Sequence, residues 1–153
     1  MPKPLVFMMG RSPAFLPVDR QYARSHYWVA AAGDGLRIGF SAYAVKLLGV
    51  VNRVEWSILP GAAVEQGRAI GYVEASKATS DLYAPFSGRI VDINSRVPAD
   101  PSLLNAFPYD DGWLLTIAGQ PDGLLAPHEY LAYLEATWPL AQRLLKGQAG
   151  KGP

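Results

Sequence analysis

One lysine stands out for the chemistry it could carry. Lys77 is the only cation in the window Gly71-Tyr-Val-Glu-Ala-Ser-Lys-Ala-Thr-Ser-Asp-Leu-Tyr-Ala-Pro-Phe-Ser-Gly88, and its neighbours Ala75, Ser76, Ala78 and Thr79 are all small. The window reads as a strand, a tight tip holding the lysine, a second strand, a Pro85-Phe86-Ser87-Gly88 turn and a third strand. A primary amine on an exposed tip among small side chains is open to a modifying enzyme, and a long group attached there would sweep freely. Taken alone, such a hairpin reads more plainly as an ordinary solvated loop.

Other chemistry is poorly supplied. The chain has no cysteine, which excludes disulfides, thiolate metal sites and a cysteine nucleophile, so sulfur redox chemistry must arrive on a cofactor. The two histidines, His26 and His128, lie far apart in sequence, and no local spacing supplies carboxylates for a metal site. His26 reads as a core or surface histidine. Asp110-Asp111 could meet a cation but reads more simply as a turn before Gly112, as does Asp122-Gly123. No Ser-His-Asp constellation or phosphate loop is visible, and Gly33-x-Gly35 alone is too weak to count.

The elements that must position the lysine are short and mostly extended. Tyr27-Trp28-Val29 and the alternation of Leu36, Ile38 and Phe40 about a Gly33-Asp34-Gly35 turn predict a hairpin. Ser41 can cap a short helix through Leu48 that Gly49 ends. Val54, Trp56 and Ile58 alternate as a strand closed by Pro60-Gly61. Further strands are expected over Ala69 to Glu74, Asp81 to Ala84, Arg89 to Ile93 and Trp113 to Ile117, with a helical turn over Ser102 to Asn105. Near the end, Leu131, Leu134, Trp138, Ala141 and Leu145 recur at helical spacing. Pro139 should kink or split that helix, and Gly147 should stop it. Residues 1–20 carry four prolines and no clean period, so they are read as an irregular N-terminal arm. The expected domain spans 21–147, with a frayed tail at 148–153.

Bulk composition agrees with a compact fold. Half of the 153 residues are hydrophobic and 18% are charged, enough apolar material for a core. Thirteen prolines and fifteen glycines point to many turns. The formal net charge of +1 implies neither a nucleic-acid nor a membrane partner. No run approaches the roughly 18 apolar residues of a membrane span. Asp19 and the prolines interrupt any amphipathic transit helix built on Arg11, Arg20 and Arg24, which favours a bacterial cytoplasm over a mitochondrion.

The lysine window resembles the lipoylation site of glycine cleavage H proteins, Val-Glu-Ser-x-Lys-Ala-x-Ser-Asp-x-Tyr-x-Pro-x-Ser-Gly. Val73, Glu74, Lys77, Ala78, Ser80, Asp81, Tyr83, Pro85, Ser87 and Gly88 fit it, and Ala75 replaces the usual serine. His26-Tyr27-Trp28-Val29 is similar to the family's His-Glu-Trp-Val, with Tyr27 for glutamate. Gly39 to Gly49 and the stretch Asn105, Pro108-Tyr109 and Gly112-Trp113-Leu114 match further family segments, so the resemblance covers roughly residues 20 to 135. Biotin carriers centre on Met-Lys-Met and dehydrogenase lipoyl domains on Asp-Lys-Ala; here the triplet is Ser76-Lys77-Ala78. Val50 stands where the family usually has aspartate, Ser57-Ile58-Leu59-Pro60 replaces an acidic Glu-Leu-Pro, and the usual net acidity is absent.

The strands alone support a small sandwich or barrel. The resemblance implies a mainly β barrel-sandwich hybrid of the biotinyl/lipoyl-carrier type, with short helices and C-terminal helices. It implies a non-catalytic carrier, monomeric when free, with lipoate in amide linkage to Lys77 and with Glu74 and Gly88 recognised by the lipoylating enzyme. The implied partners are a pyridoxal-phosphate glycine decarboxylase, which loads an aminomethyl group on the arm; a folate-dependent aminomethyltransferase; and a dihydrolipoyl dehydrogenase that reoxidises the dithiol. The departures leave two alternatives: an H-like carrier serving sulfur oxidation or lipoyl relay, and a binding module whose lysine is never lipoylated.

Overall fold

The computed structural model describes residues 2–150, with side chains through residue 143. Eleven strands and four helices follow in order. They are β1 (Leu5–Met9), β2 (Ser12–Leu16), β3 (Gln21–Tyr22), β4 (Tyr27–Ala32), β5 (Gly35–Phe40), α1 (Ala42–Leu48), β6 (Val51–Trp56), β7 (Ala63–Val64), β8 (Ala69–Ala75), β9 (Thr79–Tyr83), β10 (Gly88–Ile93), α2 (Arg96–Ala99), α3 (Leu103–Ala106), β11 (Leu115–Gly119) and α4 (Pro127–Gly150). The expected mainly β architecture is present.

Two antiparallel sheets enclose the main core. The larger has the order β3-β4-β5-β11-β10-β7 and the smaller β6-β8-β9. Ile38, Leu115, Ile117 and Ile90 from the first meet Val54, Val73 and Leu82 from the second in one continuous apolar cluster. The alternation of each strand sends these side chains inward and leaves Arg53, Glu55 and Asp81 outside.

The predicted hairpin forms between β4 and β5, with Val29 opposite Ile38 and Ala32 opposite Gly35. The Ser41 side chain caps α1 by accepting the Ala44 amide, and Gly49 ends the helix at φ +84°, as the sequence predicts.

The N-terminal reading needs correction. Residues 1–20 are not an irregular arm: β1 and β2 form a regular hairpin, pairing Leu5 with Leu16 and Met9 with Ser12. Its inner face, Phe7, Ala14 and Leu16, is buried in a second apolar cluster with Tyr22, Trp28, Tyr43, Tyr130 and Leu134. Pro13 is tolerated because this two-stranded sheet has only edge strands.

The C-terminal reading also changes. α4 runs through Pro139 as one helix. Pro139 is exposed, so water can take the Glu135 carbonyl that its missing amide leaves free. The helix continues past Gly147 to Gly150, so the expected stop is not at Gly147. Residues 151–153, and the side chain of Leu145, lie outside the described residues. Leu134 and Trp138 do dock on the core as their spacing predicts.

The candidate lysine site

Strands β8 and β9 pair Val73 with Ser80 and Glu74 with Thr79. The Ala75 amide donates to the Ala78 carbonyl at 2.9 Å and closes the turn. Ser76 and Lys77 are therefore the two central residues of the tip, and both are exposed.

This tip is held against the end of α1. The Lys77 amide donates to the Leu48 carbonyl at 2.9 Å and the Ser76 amide to the Val50 carbonyl at 2.8 Å. The Val50 amide donates to Ser76 Oγ at 2.9 Å. Lys77 Nζ reaches the Lys46 carbonyl at 3.3 Å. The last carbonyls of a helix lack intrahelical donors, and here the tip supplies them.

Two further residues make that contact possible. A Cβ on Gly49 would stand 2.4 Å from Ser76 Oγ and 3.0 Å from Lys77 Cγ, besides the strain of its positive φ. Asn105, at the end of α3, clamps the same turn from the other side: its Nδ2 donates to the Gly49 carbonyl at 2.8 Å and its Oδ1 accepts the Val51 amide at 2.9 Å. In the sequence Gly49 reads as a helix stop and Asn105 as the end of a helical turn, both within family segments, and neither signals a contact with the tip. The glycine signal was visible, but its contact with Ser76 is non-local.

The other expected residues separate. Glu74 is half-buried on β8, three residues before the lysine, and lies opposite Thr79 and Arg53. Gly88 opens β10 in the larger sheet, opposite Val64 and Gly119. A Cβ there would fall 2.4 Å from the Ala118 carbonyl, so close strand approach alone requires glycine. Among the described residues no three His, Asp or Glu side chains gather to hold a metal. Asp110 and Asp111 lie in a turn, and Arg96 reaches Asp111 at 3.8 Å.

Two hollows flank the tip. One of about 270 Å³ lies between α1 and β9, walled by Ala44, Leu48, Tyr27 and Leu82, with His26 and Asp81 at its polar parts. Tyr27 is buried there and stacks on Phe40, ring centroids 5.4 Å apart; burial pushes its phenol well above the ordinary value. The second hollow, about 160 Å³, includes Lys77 itself in its wall.

His26 anchors this end of the molecule. Its φ is +74°, and its Nδ1 lies 2.8 Å from the Tyr130 hydroxyl. Tyr130 OH is in turn 2.8 Å from the fully buried Ser41 Oγ, which accepts the Ala44 amide at 3.2 Å. One direction satisfies every group: Ser41 donates to Tyr130, and Tyr130 donates to a neutral His26. Burial lowers the His26 pKa to about 4, which keeps it neutral.

The residues present suit an amide-linked arm. Lys77 is exposed, its neighbours are small, and an amide nitrogen retains one N–H, the donor that the Lys46 carbonyl needs.

The family model described as Glycine cleavage H-protein matches residues 20–136. The chain is 41% identical over 126 residues to a probable glycine cleavage system H protein from Haloarcula marismortui, covering 78% of this chain and 97% of that protein. It is 40% identical over 126 residues to a glycine cleavage system H protein from Rubrobacter xylanophilus, covering 80% and 97%. Among solved structures, the crystal structure of a glycine cleavage system H protein from Mycobacterium marinum matches with a TM-score of 0.68 and 35% identity, over 80% of this chain and 98% of that one. With a lysine-tipped hairpin in the smaller of its two core-forming sheets and a match over most of its length, the chain belongs to the glycine cleavage H-protein family.

Proposed function

We propose that Lys77 is the residue that carries the lipoyl arm. Membership of the family makes the chain a non-catalytic carrier in glycine decarboxylation, with lipoate bound covalently to a lysine. The observation that carries the assignment to Lys77 is its place at the exposed centre of the β8–β9 turn, in a family motif, with the backbone on both sides tied to α1.

A lipoyl group held on Lys77 would supply a disulfide whose S–S bond opens as it accepts the aminomethyl unit of glycine, leaving a dithiol on the arm once that unit is passed on. The protein's own residues do the positioning. Ser76, Gly49 and Asn105 fix the tip, and the small side chains of Ala75 and Ala78 leave the amine open to a lipoylating enzyme. Glu74, on the same hairpin, is placed to be read by that enzyme. Gly88 acts by letting β10 approach β11, so its part in recognition would be to shape the domain.

The family works with the other glycine cleavage components. A pyridoxal-phosphate decarboxylase, a folate-dependent aminomethyltransferase and a dihydrolipoyl dehydrogenase are the partners this reading requires of the chain, as a free monomer in the cytoplasm. Among the described residues no helix is long and apolar enough to cross a membrane. Nothing in the fold or the comparisons favours the sulfur-oxidation, relay or unlipoylated readings over this one.

Intact mass with peptide mapping tests the assignment, on protein co-expressed with a lipoylating enzyme and lipoate. One lipoyl adduct on Lys77, absent in Lys77→Arg, is the expected result. A folded protein with an unmodified Lys77 would remove the carrier assignment.

A further inference from the structure

The two faces of the N-terminal hairpin differ in kind. The inner face is seated: Phe7 packs edge-on against Tyr43 and Trp138, with centroids 5.8 and 5.9 Å apart. The Tyr109 hydroxyl also donates to the Phe15 carbonyl at 2.6 Å. The outer face is apolar and uncovered. Val6 stands opposite Phe15 and Met8 opposite Pro13, so the pleat puts all four on one side. Val6, Met8 and Phe15 are 45, 49 and 50% exposed. At the open end of the hairpin, Pro2, Pro4, Pro17 and Val18 wall a further hollow of about 250 Å³. A rigid, contiguous apolar strip of this kind marks an interaction surface.

The family model begins at residue 20, so this strip is an addition to the shared domain. Its charge also sets it apart. Residues 1–18 hold Lys3 and Arg11 and no Asp or Glu, and without them the formal net charge of +1 would be −1. Lys3 precedes β1 and Arg11 lies in the turn between β1 and β2, so a cation stands at each end of the strip. Such a face fits a surface whose own apolar ridge is bordered by carboxylates. It does not fit a second copy, because stacking two hairpins face to face brings only cations together at the ends. The turn end lies beside Lys77. Met9 and Ser12 share the wall of one hollow with it, and Lys46 Nζ donates to Ser12 Oγ at 2.8 Å. Whatever covers the hairpin is thus brought to the root of the arm, which serves an enzyme that acts on the arm and does nothing for a bilayer.

We propose that the outer face of the N-terminal hairpin is a docking surface for one of the enzymes that act on the arm, an enzyme presenting an apolar ridge bordered by carboxylates. This rests on Lys77 being the lipoylated residue. Val6, Met8 and Phe15 supply the buried contact. Lys3 and Arg11 set its direction and hasten the encounter. The hairpin holds the enzyme near the lysine without taking part in the chemistry, so it acts on the affinity for the carrier and not on the turnover of a bound arm.

The test uses full-length carrier with lipoylation verified by mass. Rates of the decarboxylase, the aminomethyltransferase and the dihydrolipoyl dehydrogenase are each followed against carrier concentration. Two double variants are compared with the wild type: Met8→Ser with Phe15→Ser, and Lys3→Glu with Arg11→Glu. The first should raise KM for the carrier about tenfold in the assay of the docked enzyme, as loss of a central apolar contact does, with kcat unchanged. The second should raise the same KM about fivefold at low salt, and the difference should close at high salt. If the serine variant fails to fold, the charge variant, altered only outside the strands, still decides. KM unchanged for all three enzymes, or a fall in kcat alone, would overturn the docking surface and leave the carrier assignment standing. With KM unchanged, two further results overturn it by naming another occupant. Co-sedimentation with phosphatidylserine vesicles that the variants lose would assign the face to a bilayer. A concentration-dependent dimer that they lose would assign it to a second copy. An unmodified Lys77 in the mass spectrum would overturn the docking surface and the carrier assignment together.

Discussion

Ser76 Oγ accepts the backbone amide of Val50 at 2.9 Å, and this bond joins the tip of one hairpin to the turn that ends α1. With the Ser76 and Lys77 amides donating to Val50 and Leu48, it turns the tip from a free loop into part of the frame. Gly49 makes the approach possible. Gly49→Ala would place a methyl group against Ser76 Oγ at a positive φ. It should destabilise the fold by about 1–3 kcal/mol and slow lipoylation of Lys77. Urea unfolding and a time course of adduct formation by mass measure the two effects. Ser76→Ala should cost about 1 kcal/mol and slow lipoylation less.

The neutral state of His26 should make stability fall in mild acid. Burial lowers its pKa from 6.5 to about 4. Below pH 6.5 the unfolded chain binds a proton that the native chain refuses. The contribution is therefore complete above pH 6.5 and is lost progressively as the pH falls toward 4, by about 3 kcal/mol in all. Protonation at Nδ1 would also deprive Tyr130 of its acceptor. Denaturation midpoints taken across that window should slope in the wild type. They should flatten in His26→Asn, since asparagine tolerates the left-handed backbone.

Tyr130→Phe should cost about 1–3 kcal/mol, because it removes the hydroxyl that joins Ser41 to His26 while leaving the ring stacked on Tyr22 at 4.5 Å. Thermal unfolding reads the loss. The acid slope of this variant should stay, since the burial that depresses His26 is unchanged.

Much of this frame is legible in the sequence. The alternation of Leu36, Ile38 and Phe40 and the Ser41 and Gly49 caps are local signals, and local signals survive into the fold. The N-terminal hairpin was not legible. β1 reads Leu-Val-Phe-Met-Met, apolar on both faces, so its alternation is hidden: only Phe7 is buried, while Val6 and Met8 are exposed. Pro13 within the hairpin and Pro2, Pro4 and Pro17 around it then mimic irregular chain. Pro139 misled in the opposite sense, because an exposed helix face can lose one hydrogen bond to water. At the site, Lys77 was legible through its motif. The grips from Gly49 and Asn105 were not, since each joins residues more than 25 positions from its partner in the tip or more than 50 from its turn, as in the Asn105 bond to Gly49.

Phe7→Ala tests how far the N-terminal hairpin belongs to the domain. Phe7 is buried against Tyr43 and Trp138, and its removal should cost about 3 kcal/mol. A single cooperative urea transition at a lower midpoint is expected. A separate early transition would mean that the hairpin unfolds by itself.

The bonds between the tip and α1 also fix where motion begins. With the backbone of Ser76 and Lys77 tied to Val50 and Leu48, all freedom lies outward of the lysine Cα. The hinge is stationary, and the far end of a tethered group explores a shell of set radius around it. A partner's active-site mouth has only to intersect that shell. A substitution that slackened the hinge would thicken the shell and dilute the group within it, lowering the rate of capture at every partner by the same factor while every binding surface remained intact.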